Sequence, residues 1–228
     1  MTTLSNTVSY IQNDVSIPIT AGVLATPIAI DHNRSTLDTT QCATYTEIVS
    51  TEARHPYVIG TQIRFSVLGN GNGNGNGSVS ALGIEKVETV VTEKGDWLFD
   101  PVGTLKYVRL EEEKWGRIPP SKLDTRATIQ AAADAYLDLF NDKSVQVPWG
   151  TPCARLEGGS YTGKGSASDS CNVGVPSGVK ITNRRYVVDE ILGAVDVMCT
   201  FASSADTHEF RVEGGRLRFV HTMTDTGR

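Results

Sequence analysis

A single long helix constrains the fold of this chain more than any other feature of its 228 residues. Residues 122–141 place apolar side chains at three- and four-residue steps on one helix face, while Asp134 and Asp138 lie elsewhere. Asp124 is the expected N-cap, and Ser121 completes an imperfect capping box. Most of the remaining chain has the pattern of strands and turns. The sequence therefore predicts an α+β fold in which a curved antiparallel sheet wraps around this helix.

Seven strands are predicted from alternation and β-branched content, at residues 42–49, 57–67, 84–92, 105–110, 186–201, 208–213 and 216–224. In the last strand Leu217, Phe219, His221 and Met223 share one face, which we expect to line the space between helix and sheet. The Gly214-Gly215 pair predicts a hairpin turn before this strand.

A weak internal repeat links the two halves of the chain. Arg34 and Asp38 match Arg185 and Asp189 without a gap when residues 28–38 are laid over residues 179–189. Further matches follow in the same order: Tyr10 with Arg155, Gln62 with Glu209, and residues 87–95 with 219–227, which aligns Thr89 with His221. This shared order predicts a duplicated α+β unit.

The repeat divides the chain into units at residues 1–115 and 116–228. The predicted helix belongs to the second unit, and the first unit has no equivalent helix. Two explanations stay open: an N-terminal segment is missing from the sequence, or the first unit is covered by the second. The intervening tract LGNGNGNGNGS, residues 68–78, predicts a flexible hairpin extension because Asn-Gly pairs favour tight turns.

Charge and cysteine content narrow the class of protein. The net charge is -5, and the basic residues are scattered, which argues against a nucleic-acid partner. No apolar run approaches the roughly 20 residues that span a bilayer, so no membrane association is expected. The N-terminus lacks a signal-peptide pattern. Four cysteines without CxxC spacing and acceptor patterns at Asn33 and Asn76 nevertheless favour secretion, with the signal absent from this sequence.

A disulfide between Cys153 and Cys171 is the preferred pairing, because it would restrain a Gly- and Ser-rich loop. Cys42 and Cys199 are then left to form a bridge or to stay buried. The histidines are too widely separated to predict a metal site, and no cofactor is expected.

Several stretches resemble a known family. The runs WGTPCARLEGGSYTG, DSCNVGVPSGVKITNRRYVVDE and DTHEFRVEGGRLRFVHTMT resemble a family of uncharacterised, mostly secreted fungal proteins with an NTF2-like, or SnoaL-like, fold. TLDTTQCATYTEI and GDWLFDP resemble its other half. The resemblance implies two tandem NTF2-like cones, the first without its N-terminal helix. Relatives with this fold include dehydratases, isomerases and cyclases as well as binding proteins, so it implies no single reaction.

Four residues are candidate catalytic groups. His221 interrupts an apolar strand face, where an imidazole could move a proton near neutral pH or could be a hydrogen-bonded core residue. His208 follows Asp206, which either fixes the imidazole tautomer or, as the preferred interpretation, caps a turn. Glu157 would become a usable acid if it were desolvated. Asp189 is the fourth candidate.

Asp189 lies four residues after Arg185, on the same side of an extended strand. The pair could position a substrate or water, but its duplication favours a structural role. Tyr136 and Tyr186 could complete a polar cluster, and Phe219 would line the pocket beside His221. We assign Tyr136, Arg185, Tyr186 and Phe219 as candidate substrate-binding residues.

These observations favour a small-molecule pocket in the second unit that performs cofactor-free acid/base chemistry such as dehydration, isomerisation or cyclisation. The alternative is a non-catalytic secreted protein that binds a ligand or a partner. A homodimer is expected if cone sheets pair through their open faces, unless the two units of one chain already pair in this way.

Overall fold

The computed structural model describes residues 4–67 and 82–227, with side chains from residue 8 onward. Two six-stranded sheets and two α-helices make up this part of the chain. Sheet 1 contains β1 (Leu4–Gln12), β2 (Val15–Ser16), β3 (His32–Asp38), β4 (Ala43–Ser50), β5 (Tyr57–Val67) and β6 (Leu82–Thr92). Sheet 2 contains β7 (Trp149–Glu157), β8 (Ser160–Tyr161), β9 (Thr182–Asp189), β10 (Ala194–Phe201), β11 (Ser204–Glu213) and β12 (Arg216–Thr224). The helices are α1 (Pro101–Val108) and α2 (Arg126–Asp138).

The two sheets have the same topology. The strand order is β2-β1-β6-β5-β4-β3 in sheet 1 and β8-β7-β12-β11-β10-β9 in sheet 2. In both sheets the first long strand pairs in parallel with the last, and the other pairings are antiparallel. The two-unit architecture expected from the weak repeat is therefore present.

Reciprocal hydrogen bonds join the two units where β3 meets β9. The Leu37 amide donates to Asp189 Oδ2 at 3.0 Å, and the Val188 amide donates to Asp38 Oδ2 at 3.0 Å. Leu37 and Val188 occupy equivalent positions in the repeat, as do the two aspartates. The units therefore pack with approximate two-fold symmetry, and each buried carboxylate supplies a partner that a backbone N–H of the other unit needs.

Helix α2 is shorter than the sequence predicts, and its cap differs. The N-cap is Thr125, whose hydroxyl accepts the Thr128 amide at 3.2 Å. Asp124 instead accepts the Gly215 amide, which ties the helix entrance to the β11–β12 hairpin at 2.9 Å. As predicted, the apolar face of the helix is buried. It consists of Ile129, Ala132, Ala133, Tyr136 and Leu137.

Two predicted strands were wrong. Residues 105–110 lie in and just after α1, because Asp100 caps a helix that begins at Pro101, a residue favoured at the first helical position. Residues 186–201 contain β9 and β10 separated by a turn. Asp189 Oδ1 accepts the amides of Ile191 and Leu192, each at 2.9 Å, and thereby makes that turn.

A bulge in β12 changes which residues share a face. Arg211 pairs with Phe219, but Val212 pairs with Leu217, so Arg218 is an extra residue in the ladder. The bulge places Leu217 with Val220 on the face that packs against α2. Met223 instead packs in the cluster between the two sheets. Phe219, His221 and Met223 therefore share a face as predicted, but Leu217 lies on the opposite face, because an inserted residue shifts the alternation by one. The expectation that His221 and its neighbours line the space between helix and sheet was wrong, since it is the Leu217 face that meets α2.

Strand register also corrects the repeat. His221 pairs with Glu209, and Glu88 pairs with Gln62. Since Gln62 and Glu209 are equivalent, His221 corresponds to Glu88 rather than to Thr89.

The core has two layers of contacts around sheet 2. One face of this sheet packs on α2, and the other packs on sheet 1. Helix α1 joins the second layer through Val108, so it is not a counterpart of α2. In the described residues ahead of β3, two 3₁₀ turns occur at Ile19–Ala21 and Val23–Ala25. The Asn-Gly tract and Asn76 lie outside the described residues.

The predicted disulfide between Cys153 and Cys171 is present. Cys42 is exposed and Cys199 is buried, and neither is bridged. Among the described residues, no helix combines the length and the apolar character needed to cross a membrane.

Candidate functional site

A cavity of about 330 Å³ lies between α2 and the facing side of sheet 2. Helix α2 contributes Tyr136, and Phe140 follows shortly after its end. The strands contribute polar side chains, namely Arg155 and Glu157 from β7, Asp206 and His208 from β11, and Thr222 and Thr224 from β12. We call this space the α2 cavity. A partly open cavity with the apolar face of a helix on one side and convergent polar groups on the other suits a small-molecule ligand.

Asp206 and His208 form the chemical centre of the α2 cavity. They are two residues apart on β11, so their side chains point to the same face of the sheet. Asp206 Oδ1 accepts the Thr224 hydroxyl at 3.0 Å, and Oδ2 lies 3.3 Å from His208 Nδ1. That nitrogen is buried and has no partner with hydrogen-bond geometry in the described residues. The interpretation of Asp206 as a turn cap was wrong, since the residue lies within a strand.

Burial drives the ionisation of both groups towards their neutral forms. Burial raises the pKa of Asp206 to about 8, and the nearby Glu157 carboxylate adds to this shift. Burial also lowers the pKa of His208 to about 3, helped by the cations of Arg155 and Arg184. At pH 7 the site therefore holds a protonated carboxyl group beside a neutral imidazole.

Arg155 organises the other wall of the cavity. Its guanidinium donates to the Tyr136 hydroxyl at 3.2 Å and pairs with Glu157 at 3.0 Å. Trp97 Nε1 donates to Glu157 at 2.9 Å. Arg155 Nε is buried without a hydrogen-bond partner in the described part of the chain. Burial raises the pKa of Tyr136 to about 12 despite Arg155, so its phenol stays protonated.

His221 lies outside this cavity, contrary to the sequence-based expectation. It is 2% exposed and sits between the two sheets. Its Nδ1 lies 3.1 Å from Glu47 Oε1, and its Nε2 lies 2.7 Å from Glu113 Oε2. Burial alone would lower the pKa of His221, but the Glu47 and Glu113 carboxylates outweigh it and raise the pKa to about 9.

The same buried cluster contains Arg34, which pairs with Glu47 at 2.9 Å and with Glu209 at 2.5 Å. Its guanidinium stacks 3.8 Å from the centre of the Trp115 ring. Three carboxylates thus surround two cations. This arrangement joins sheet 1, sheet 2 and the segment after α1, and it makes His221 a residue of the inter-unit packing.

The remaining candidates divide between the cavity and other places. His208, Glu157 and Tyr136 line the α2 cavity. Asp189 binds backbone amides at the unit interface, as described above. Arg185 pairs with Asp14 at 3.0 Å and with Glu88 at 2.9 Å, which agrees with the structural role favoured from its duplication.

Tyr186 and Phe219 also lie away from the cavity. Tyr186 donates to Asp134 on α2 at 2.7 Å. Phe219 packs against Trp115 with ring centres 5.9 Å apart. The contact with α2 therefore sets the position of Tyr186, and the β12 bulge sets the position of Phe219.

Sequence reasoning missed Arg155, Thr222 and Thr224 as cavity residues. Arg155 could have been found, because Cys153, Arg155 and Glu157 alternate along β7 and the disulfide fixes the direction of that face. The two threonines could not, because their orientation depends on the bulge at Arg218.

Two clusters of the described residues have metal-ligand chemistry, Cys199–Asp206–His208 and Glu47–Glu209–His221, each with ligand atoms within 4.8 Å of one another. In the second cluster, Arg34 and protonated His221 already neutralise the charge of the glutamates. In the first, burial raises the pKa of Cys199 well above its usual value, so a metal would have to displace protons from both the thiol and Asp206.

Comparison with known proteins bears only on the second unit. A family model described as a domain of unknown function (DUF8021) matches residues 122–224, which contain α2 and all strands of sheet 2. The chain is similar to that family over this part. No curated protein and no solved structure matches the chain.

Proposed function

We propose that the α2 cavity binds a small molecule and catalyses a cofactor-free acid/base reaction on it, with Asp206 as the general acid. The observation that carries this proposal is the buried Asp206 carboxyl, whose Oδ2 lies 3.3 Å from His208 Nδ1, a nitrogen with no hydrogen-bond partner among the described residues. An acid with a pKa of about 8 both holds its proton at neutral pH and can release it.

Dehydration illustrates how the pair would act. Asp206 gives its proton to the leaving hydroxyl group, which departs as water with the C–O electron pair. His208 takes a proton from the neighbouring carbon, and the C–H electron pair becomes the new C=C bond. Loss of the Asp206 proton creates a carboxylate beside Nδ1, and that charge raises the basicity of an otherwise weak imidazole. A proton returned from His208 to Asp206 restores the starting state.

Arg155 would orient the substrate. Its Nε–H lacks a partner among the residues that the structure describes, so a carbonyl or hydroxyl oxygen of a ligand could satisfy it. Arg155 also holds Tyr136 and Glu157 in place, so these two residues would shape the pocket rather than transfer protons.

The experiment incubates the protein in D₂O with a panel of cyclic hydroxy ketones and enones, and mass spectrometry detects loss of water or deuterium incorporation. We expect turnover by the wild type and a reduction of at least 100-fold in Asp206→Asn and His208→Asn, within the usual contribution of general acid–base catalysis. His221→Asn is the matched control, because it changes a buried histidine outside the cavity.

Two outcomes would contradict cofactor-free acid/base catalysis. Binding without any turnover, unchanged by Asp206→Asn, would favour the alternative of a ligand-binding protein. The alternative has support of its own. Arg155 already bonds to Tyr136 and Glu157, so these polar groups serve the scaffold, as a non-catalytic protein would require. Turnover lost on treatment with EDTA would instead indicate metal chemistry.

We also propose that each unit is an NTF2-like cone and that the protein is secreted. The shared strand order and the packing of α2 on one sheet face support the first. The Cys153–Cys171 disulfide and the exposed side chain of Asn33 support the second. Expression in a eukaryotic secretory host should give a glycan at Asn33 that is absent from Asn33→Gln, and an unmodified Asn33 would remove this support.

A further inference from the structure

A second cleft, separate from the α2 cavity, opens beside helix α1. It has a volume of about 570 Å³ and is bounded by α1, the loop closed by the disulfide, β7 and β12. Aromatic rings from three elements line it, namely Tyr107, Tyr161 and Phe219. Tyr107 and Tyr161 are stacked with centroids 4.7 Å apart, so the two rings form one aromatic patch in the lining. We call this space the α1 cleft.

Arg218 supplies an uncompensated charge to the α1 cleft. Its side chain is partly buried, and the structure gives it no ion pair or hydrogen bond to any described residue. Its Nε is buried and has no hydrogen-bond partner in the described part of the chain. A buried donor is costly to leave unsatisfied, so the Nε–H of Arg218 needs an acceptor that the described part of the protein does not supply.

The backbone explains why Arg218 points here. Leu217 pairs with Trp149 and Phe219 pairs with Ala154, so a four-residue segment of β7 faces the single residue Arg218. Sheet 1 has the same irregularity between Leu4 and Ser9, where Glu85 takes the position of Arg218. The bulge therefore belongs to the repeated fold, and only the second unit places a cation in it.

Two carboxylates also line the cleft and limit the charge of a ligand. Asp169 Oδ2 is engaged by the amides of Lys164 and Ser166, at 2.6 and 3.1 Å, and Glu112 is exposed to solvent. Lys106 adds a second cation, with its Nζ 5.0 Å from the Tyr107 ring centre. One anionic group beside Arg218 is favourable, whereas a polyanion would meet these carboxylates.

We infer that the α1 cleft is a binding site for a flat, largely apolar molecule with a single negative charge. The ring system would lie against Tyr107, Tyr161 and Phe219, and its carboxylate or sulfonate would accept from Arg218. This site is independent of the chemistry proposed at Asp206.

The test uses fluorescence titration with two probes of the same ring body, anionic 8-anilinonaphthalene-1-sulfonate and neutral N-phenyl-1-naphthylamine. We expect Arg218→Gln to weaken binding of the anionic probe about tenfold, as for loss of one charge-assisted hydrogen bond, and to leave the neutral probe within about twofold. Arg218→Lys keeps the charge and should give an intermediate loss. Arg216→Gln is the matched control, because Arg216 is exposed on the same strand and donates a hydrogen bond to the Trp149 carbonyl, outside the lining of the α1 cleft.

Two blocking variants locate the probe. Ala167→Trp adds bulk at the rim of the α1 cleft, and Ser204→Trp adds bulk in the α2 cavity. The proposal expects Ala167→Trp to abolish binding of the anionic probe and Ser204→Trp to leave it unchanged. Loss of binding in Ser204→Trp alone, or equal affinity in wild type, Arg218→Gln and Arg216→Gln, would overturn it.

Discussion

At the scale of single residues, burial alone does not decide ionisation, because the neighbours of a buried group can reverse its effect. His208 and His221 are both almost fully buried. His208 faces cations and stays neutral, whereas His221 lies between two carboxylates and is protonated at neutral pH. The same residue type therefore serves an uncharged cavity in one place and a charged packing contact in the other.

Replacing His221 should reduce stability without affecting the α2 cavity. His221→Gln leaves the buried Glu113 without its cation, although Glu47 keeps Arg34, and we expect this loss to cost about 3–5 kcal/mol in the free energy of unfolding at pH 6. Urea unfolding measures this cost, and ligand turnover at pH 7 should be unchanged.

The cost should depend on pH in a defined direction. The folded-state pKa of about 9 lies above the unfolded value of about 6.5, so the contribution of His221 is complete below pH 6.5 and is lost as pH rises through 9. The stability difference between wild type and His221→Gln should therefore shrink by about 3 kcal/mol between pH 6 and pH 9.5. His55→Gln, at an exposed position, is the control. A difference that stays constant across this range would contradict a charged His221.

At the scale of elements, local sequence predicts what depends on local physics. Helix α2 followed from its periodic apolar residues, and the β11–β12 turn followed from Gly214 and Gly215, which have φ angles of 59° and 70°. The β12 bulge did not follow, because its position is set by pairing with β7 and β11. That one unpredicted residue moved His221 to the unit interface and brought Thr222 and Thr224 into the cavity.

The disulfide should stabilise both the fold and the cavity wall. Cys153 and Cys171 are 18 residues apart, and Gly174 and Pro176 of the cavity lining follow Cys171 closely. Replacing both cysteines with Ala should cost about 3 kcal/mol in unfolding free energy and weaken ligand binding in the α2 cavity.

Cys42→Ser provides the control for that measurement, since Cys42 is exposed and unbridged. A loss below about 1 kcal/mol in the double variant would show that the loop is held by its other contacts.

At the scale of the whole molecule, the repeat was the most informative prediction and also the least complete. The spacing between Arg34 and Asp38 equals that between Arg185 and Asp189, which indicated two units. It gave no information on how the units pack. The structure makes the two aspartates reciprocal acceptors across the interface. Packing between units depends on long-range contacts that no short segment encodes.

Asp38 and Asp189 should therefore be energetically coupled. Asp38→Asn and Asp189→Asn each weaken the same β3–β9 contact, and we expect the double variant to deviate from additivity by about 0.5–3 kcal/mol. Asp38→Asn should be the more destabilising of the two, because Asp38 also accepts from Arg126 at 2.8 and 2.6 Å. Additive effects would show that the two hydrogen bonds act independently.

The proposed chemistry depends on a protonated Asp206 in the α2 cavity at neutral pH. The most direct test is a pH titration of its carboxyl carbon by ¹³C NMR, with the Asp206→Asn spectrum used to assign the signal. The account predicts a transition near pH 8 for Asp206. A transition near pH 4, the ordinary range of aspartate, would mean that the carboxyl is ionised at neutral pH and would contradict its role as a general acid.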